Sequence, residues 1–381
     1  MTHSWRNTPL ADRHKALGSK LEDWNGMPTA WTYDAPFDAE ATYKAIRTTA
    51  ALMDVSGLKK LHLVGPHAAA VIDMITTRDV TKLTPGKCTY TSILDDEGHF
   101  IDDGIIYCRG PNNWMVVHGG GKAHDLFAAA CVGRNVAMLF DDDLQDLSFQ
   151  GPVAVDFLAK HIPGVRDMKY FTHFSTTLFG KPIMLSRTGY TGERGYEIFC
   201  LTKDAGEIWD RIIEEGKDMG IIPASFVALD WLRVESYLLF YPFDMSEFFP
   251  FDDGQKGGDT LWELGLDFTV SPNKTGFRGA DAHYQKKGKE RFRIFGVKLD
   301  GTAPANGGDE VWAGDKKVGV ITVGMYSPLM KQSMALARLD LASAVEGTKL
   351  EVRAADGTKT AAVASELPFY DKDKKKRVAV G

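Results

Sequence analysis

A strand, then Gly-Pro, then an apolar helix: this unit occurs twice in the chain, and it limits the possible folds more than any other feature. Residues 58–64 set Leu58, Leu61 and Leu63 against Lys60 and His62, the alternation of a strand, and Gly65-Pro66 breaks it before a stretch rich in Ala, Val and Ile. Residues 147–149 lead in the same way into Gly151-Pro152 and the apolar helical stretch 153–158. A unit that recurs only twice argues for two related α+β lobes rather than a solenoid. Neither copy carries Gly-x-Gly-x-x-Gly or a phosphate loop, so a dinucleotide or nucleoside triphosphate is not indicated.

Upstream, residues 41–53 read as an amphipathic helix through Tyr43, Ile46, Ala50 and Met53, ending in a turn at Asp54-Val55-Ser56-Gly57. After Phe277 and the polar, basic stretch 285–293, short strands at 294–299 and 318–323 alternate with Gly-rich turns, which predicts a small all-β domain over about 291–370. Two or three domains suit 381 residues, more than one hydrophobic core usually organises. With 44% apolar and 25% charged residues the chain has an ordinary globular composition, not a disordered, fibrous or membrane one.

Lys plus Arg number 45 against 51 Asp plus Glu, a net charge of −6 that offers no field for nucleic acid. The basic residues Lys372, Lys374, Lys375, Lys376 and Arg377 read as a frayed, solvated tail. Four widely spaced cysteines without a Cys-x-x-Cys pair signal neither a disulfide framework nor a metal site, and a cytoplasmic location is expected. No leader pattern and no run of about 18 apolar residues point to export or membrane insertion.

Two segments could carry chemistry. Asp102 and Asp103 lie between Gly98-His99-Phe100 and the apolar Ile105-Ile106-Tyr107, so strand parity sends one carboxylate to each face; on residue types alone they read as turn carboxylates. Arg187-Thr188-Gly189-Tyr190-Thr191-Gly192-Glu193 is a tight bend ahead of Tyr196-Glu197-Ile198-Phe199. It either projects Tyr190 as a stacking platform beside Glu197, a carboxylate suited to paired N–H donors of a planar heterocycle, or is a hairpin whose Tyr packs on the sheet.

The wider pattern resembles the aminomethyltransferase family of tetrahydrofolate enzymes, which includes the glycine-cleavage T-protein and folate-dependent demethylases acting on sulfonium compounds. The matching pieces run in family order: Thr8-Pro9-Leu10, Met27-Pro28, Met53-Asp54-Val55-Ser56, Thr77-Arg78-Asp79-Val80, residues 98–106, Gln150-Gly151-Pro152, residues 186–193, Leu232-Arg233-Val234-Glu235-Ser236 and Tyr326-Ser327-Pro328. The resemblance implies an α+β, three-domain cloverleaf around a central folate site. Its lobes would be residues 1–54 with 147–247, residues 55–146 with 248–285, and a C-terminal β-barrel over 290–381. It also implies Asp103 as the reactive carboxylate, Tyr90, Tyr170 and Tyr190 as folate-contacting tyrosines, and Glu197 at the pterin edge.

Three departures from the T-protein pattern bear on the reaction. His118 stands where the T-protein carries Asn, introducing a titratable group that could bind the folate and protonate a leaving group, or simply hydrogen bond as a neutral ring. Ala228-Leu229-Asp230 replaces Ala-Arg-Asp, removing a folate-contacting arginine. Glu247-Phe248-Phe249-Pro250-Phe251-Asp252-Asp253, with Trp262-Glu263, could box a methylated cation or form a closing loop. Together they favour a demethylase that moves a methyl group from a small S-, O- or N-methyl substrate to tetrahydrofolate. Aminomethyl transfer with a lipoyl carrier protein is the alternative, and a non-catalytic folate-binding regulatory or repair factor is a third reading. No metal is required by any of these.

Overall fold

Gly65 and Gly151 show why the Gly-Pro punctuation recurs. In the computed structural model, which describes residues 4–251 and 258–379, they adopt φ of +139° and +127°. A Cβ at either would lie 2.5 Å from a backbone oxygen, that of Asn135 or of Thr49, so each turn excludes a side chain. The helices Ala68–Ile75 and Ala154–Leu158 follow.

Each unit belongs to its own sheet. The first has six strands in the order His173–Leu178, Lys181–Ser186, Gly195–Leu201, Leu144–Gln150, Ala50–Asp54 and Ile221–Ala224, the last pairing parallel and the rest antiparallel. One face carries Leu52, Leu147, Phe149 and Ile198 into a core with Ile208 and Trp209 of helix Thr202–Gly216. The second sheet is antiparallel, in the order Lys87–Leu94, Phe100–Gly110, Asn113–His118, Lys59–Val64 and Ala137–Phe140. Helices Ala68–Ile75 and Ala123–Cys131 cover one of its faces through Val71, Ile72 and Phe127.

The remaining faces of the two sheets meet each other, with Cys88, Tyr107, Met115 and Val117 packed against Met184 and Phe199. Polar residues at alternate positions of these strands are thereby carried into the interior. Lys60, on the polar side of its strand's alternation, is fully buried for this reason.

Phe292–Leu299 pairs with both Gln332–Asp340 and Lys359–Ser365, closing a six-stranded C-terminal barrel. The barrel is tied to the first lobe by buried Glu235, which accepts from Tyr43 at 2.5 Å, from Arg47 at 2.6 Å and from Ser327. No helix among the described residues is long and apolar enough to cross a membrane.

Two expectations need correction. The helix expected over 41–53 stops at Thr48, and Ala50–Asp54 is an inner strand with all five residues buried. Such a strand has no period to separate it from a buried helix. The C-terminal basic run, expected to fray, is docked against the body of the protein: Arg187 donates to the carbonyls of Arg377, at 3.1 Å, and Ala379.

Candidate active site

Strand parity sends Asp102 and Asp103 to opposite faces of the second sheet, and their surroundings then diverge. Asp102 is fully buried on the helix-covered face, where its carboxylate accepts from His118 Nδ1 at 3.0 Å and from the backbone N–H groups of Ala123 and Asp103, both at 2.9 Å. Asp103 points between the sheets. It lies opposite Ser92, and Tyr90, one step along that strand face, donates its hydroxyl to Asp103 Oδ2 at 2.6 Å. Burial, then the neighbouring Asp102 charge, raise the Asp103 carboxyl to about 7 against the opposing bond from Tyr90. A carboxyl so placed can take up or release a proton near neutral pH.

On the facing sheet, Glu197 lies opposite Ser186 and Ser148. Its Oε2 accepts from the Thr188 hydroxyl and, at 3.4 Å, from Tyr107. Burial raises this carboxyl too, and those two hydroxyls oppose the rise. Among the described residues no hydrogen bond ends on Oε1, so the carboxylate is fixed in plane by one oxygen and keeps accepting capacity on the other.

Of the expected site residues, Tyr90, Asp103 and Tyr190 are brought together: burial raises the Tyr190 hydroxyl, and Asp103 is among the charges acting on it. Tyr190 is anchored as well as presented, its hydroxyl donating to the carbonyls of Leu238, at 3.0 Å, and Leu239. Tyr170 stands on the Glu197 side, where burial raises its hydroxyl, Arg377 opposes the rise and Glu197 adds to it. His118 is not brought to the face of Asp103. It pairs across its strand with Gly104, shares the face of Asp102 and is buried, with Nε2 lacking a partner among the described residues.

Other members escaped sequence reading. Arg233, four residues beyond Leu229 and so on the same helix face, reaches Asp244 at 2.5 Å and Asp230 at 2.7 Å and is among the charges acting on Tyr190. A cation thus stands one turn from where the arginine is missing. Asp146 is fully buried, and neither carboxylate oxygen has a partner among the described residues. Burial and then the Glu197 charge push its carboxyl well up, while Lys60 pulls the other way. The signal for Asp146 was its parity with Ser148 and Gln150, opposite to the apolar Leu147 and Phe149.

Among the described residues the aromatic–carboxylate box is not assembled. Glu263 caps its own short helix through Thr260 and pairs with Arg291 at 2.7 Å, Trp262 stacks on His283, and Phe251 packs on Phe292. Phe248 is exposed, and Asp252 and Asp253 lie outside the described residues.

Known proteins agree with this architecture. The GCVT N-terminal domain matches residues 10–274, and the glycine cleavage T-protein C-terminal barrel domain matches residues 293–371. The heme-dependent oxidative N-demethylase gamma subunit of Ectopseudomonas mendocina (strain ymp) is 60% identical over 381 residues, covering 100% of both chains. An aminomethyltransferase of Bacillus cereus is 30% identical, covering 97% of this chain and 99% of its own. The crystal structure of glycine cleavage system aminomethyltransferase T from Bartonella henselae superimposes with a TM-score of 0.85 at 25% identity, over 97% of this chain and 99% of that one. With two sheets meeting at a carboxylate-lined interior and a closed barrel beside them, matched by family domains over most of its length, the chain belongs to the glycine-cleavage T-protein (GCVT) family of folate-dependent transferase fold.

Proposed function

We propose that this chain is a tetrahydrofolate-dependent one-carbon transferase that serves the demethylation of a small N-methylated substrate. The observation that carries the reading is Asp103, tied to Tyr90 and held at about 7, on the sheet face that meets the sheet carrying Glu197. The residues present fit a pterin. Its amino and ring N–H groups match a buried carboxylate with an accepting oxygen to spare, and the partnerless Asp146 carboxyl supplies further polar capacity in the same interior.

Bound tetrahydrofolate supplies the ring nitrogens that accept the carbon. Glu197, its plane set by Thr188 and Tyr107, orients the heterocycle. Tyr90 holds Asp103 in place, and Asp103 accepts the proton released as a nitrogen attacks and can return it to the leaving group.

The N-methyl class is favoured by the Ectopseudomonas relative, whose name specifies oxidative N-demethylation. Oxidation of an N-methyl group delivers carbon at the level of formaldehyde. Its addition to tetrahydrofolate loses one water and leaves the methylene form, whereas direct methyl transfer would leave the 5-methyl form. The relative is itself named a gamma subunit, so we assign the haem of such an enzyme to another of its subunits. Aminomethyl transfer is the second reading, carried by the relatives at 30% and 25% identity.

The test supplies tetrahydrofolate with ¹³C-formaldehyde, with ¹³C-methyl amines plus the partner subunits, or with an aminomethyl-lipoyl carrier, and reads the folate product by mass. Labelled methylenetetrahydrofolate from the first two, formed faster than in enzyme-free controls because formaldehyde and tetrahydrofolate also condense unaided, is expected. Acceleration with the lipoyl carrier alone would establish the second reading, and no acceleration over the enzyme-free control in any arm would sink both. Glu197→Ala should weaken tetrahydrofolate binding by about 1.5–3 kcal/mol.

A further inference from the structure

Asp146 is a buried carboxyl that the proposed chemistry leaves without a task. It stands on Leu144–Gln150, two residues before Ser148, which lies opposite Glu197, so the two carboxyls are diagonal neighbours on one sheet face, about 7–8 Å apart at Cα. That face meets the second sheet, from which Tyr107 reaches Glu197. Lys60 comes from the second sheet as well, opposite Val117 of the inter-sheet core, and is fully buried. Two carboxyls and one ammonium thus share the same interior.

Their hydrogen bonds are unequal. Glu197 accepts from Thr188 and Tyr107, and Lys60 donates to the carbonyls of Ser56 and Leu58, both at 2.9 Å, whereas neither oxygen of Asp146 has a partner among the described residues. A buried carboxylate without donors is costly, so a single negative charge between the two carboxyls settles on Glu197 and the proton stays on Asp146. The remaining groups that face the cluster are already committed. Asp54 is paired with His14 at 3.1 Å, and Arg6 with Asp142 at 2.7 Å and with the Ser56 and Gly57 carbonyls. Burial holds the Cys88 and Cys200 thiols and the Tyr107 and Tyr170 hydroxyls protonated. Burial also lowers the Lys60 ammonium to about 8, which leaves it charged at neutral pH.

We propose that Asp146 is a positioning residue that acts through Glu197 as a proton reserve: it stays neutral beside the ionised Glu197, and gives its proton to solvent when a ligand's N–H donors take up the Glu197 charge. The inference rests on the folate reading, in which Glu197 receives the N–H edge of a planar heterocycle. Once those donors are in place, the negative field at Asp146 falls and the Lys60 ammonium is the nearest opposite charge for the carboxylate that forms. The O–H bond of Asp146 is the one that breaks, and the buffer takes the proton. Binding that releases a proton strengthens as pH rises.

The experiment is titration calorimetry of tetrahydrofolate on the full chain near neutral pH, in buffers of different ionisation enthalpy, which counts the protons exchanged. The D146N variant replaces a neutral carboxyl by an amide of the same shape, so it should still bind. It should release about half a proton less per ligand than the wild type, and its affinity should climb about threefold less per pH unit. Asp103 is present in both proteins, so the difference belongs to position 146. Carbon-13 NMR of the Asp146 carboxyl in the wild type reads the same event without a variant: protonated without tetrahydrofolate, ionised with it. Equal proton counts and pH slopes in the two proteins, or an Asp146 signal that the ligand leaves unmoved, would overturn the reserve while leaving the folate reading intact. Failure of tetrahydrofolate to bind the wild-type chain would overturn both.

Discussion

Asp102 and Asp103 are the same side chain, adjacent in the chain and on one strand, yet the two faces of the sheet make different groups of them. On the helix-covered face, Asp102 meets His118 and two backbone donors that saturate a carboxylate. On the inter-sheet face, Asp103 meets one phenol and the field of its neighbour, and its carboxyl rises to about 7. A fixed set of donors makes a strut, whereas burial with few donors makes a proton carrier.

The most severe challenge to this contrast is Asp103→Asn, which should lower kcat by about 10²–10⁴ with tetrahydrofolate binding retained. Stopped-flow turnover beside titration calorimetry checks it, and unchanged turnover would return Asp103 to a structural role or leave the chain a folate binder. Next in size, Asp102→Asn puts an amide where the donors need a carboxylate and should cost about 1–3 kcal/mol of stability in urea unfolding. By removing a like charge it should also move the Asp103 inflection to lower pH; a variant with wild-type stability and an unmoved inflection would dissolve the distinction between the faces.

The pH dependence comes third. The folded value of Asp103, about 7, exceeds its ordinary 3.8, so the folded state holds this proton more tightly than the unfolded chain. Its contribution to stability is then full below about 4 and is lost as pH rises through about 7. The stability of the wild type relative to Asp103→Asn should therefore fall between about pH 4 and 7, while wild-type kcat/KM climbs through about 7 and the variant shows no such limb. The smallest effect is expected from His118→Asn, less than about tenfold in kcat, because the ring acts on Asp103 only through Asp102. A loss as large as that of Asp103→Asn would put His118 at the reaction centre and overturn the two-face account.

The motifs that made the family resemblance legible are bonded to one another. Thr8 reaches Asp54 at 2.9 Å, and Gln150 donates to the carbonyl of Thr188. Arg78 donates to the carbonyl of Tyr90, and Ser327 reaches Glu235. They stand far apart in sequence, so their pattern could be recognised without revealing what joins them. The burial of Lys60 and Asp146 was illegible for the same reason, since each owes it to a strand from the other lobe.

What the sequence determined by itself was local: two Gly-Pro turns that no side chain can enter, the alternation that makes Asp102 and Asp103 face opposite ways, and the strand-rich barrel at the end of the chain. Which of the two carboxylates would be saturated, and which left to carry a proton, was decided only when one sheet face was covered by helices and the other by a second sheet. Parity along a strand is a property of the backbone, but a carboxyl's proton affinity is set by the dielectric and the donors around it, and those arrive from residues remote in the chain.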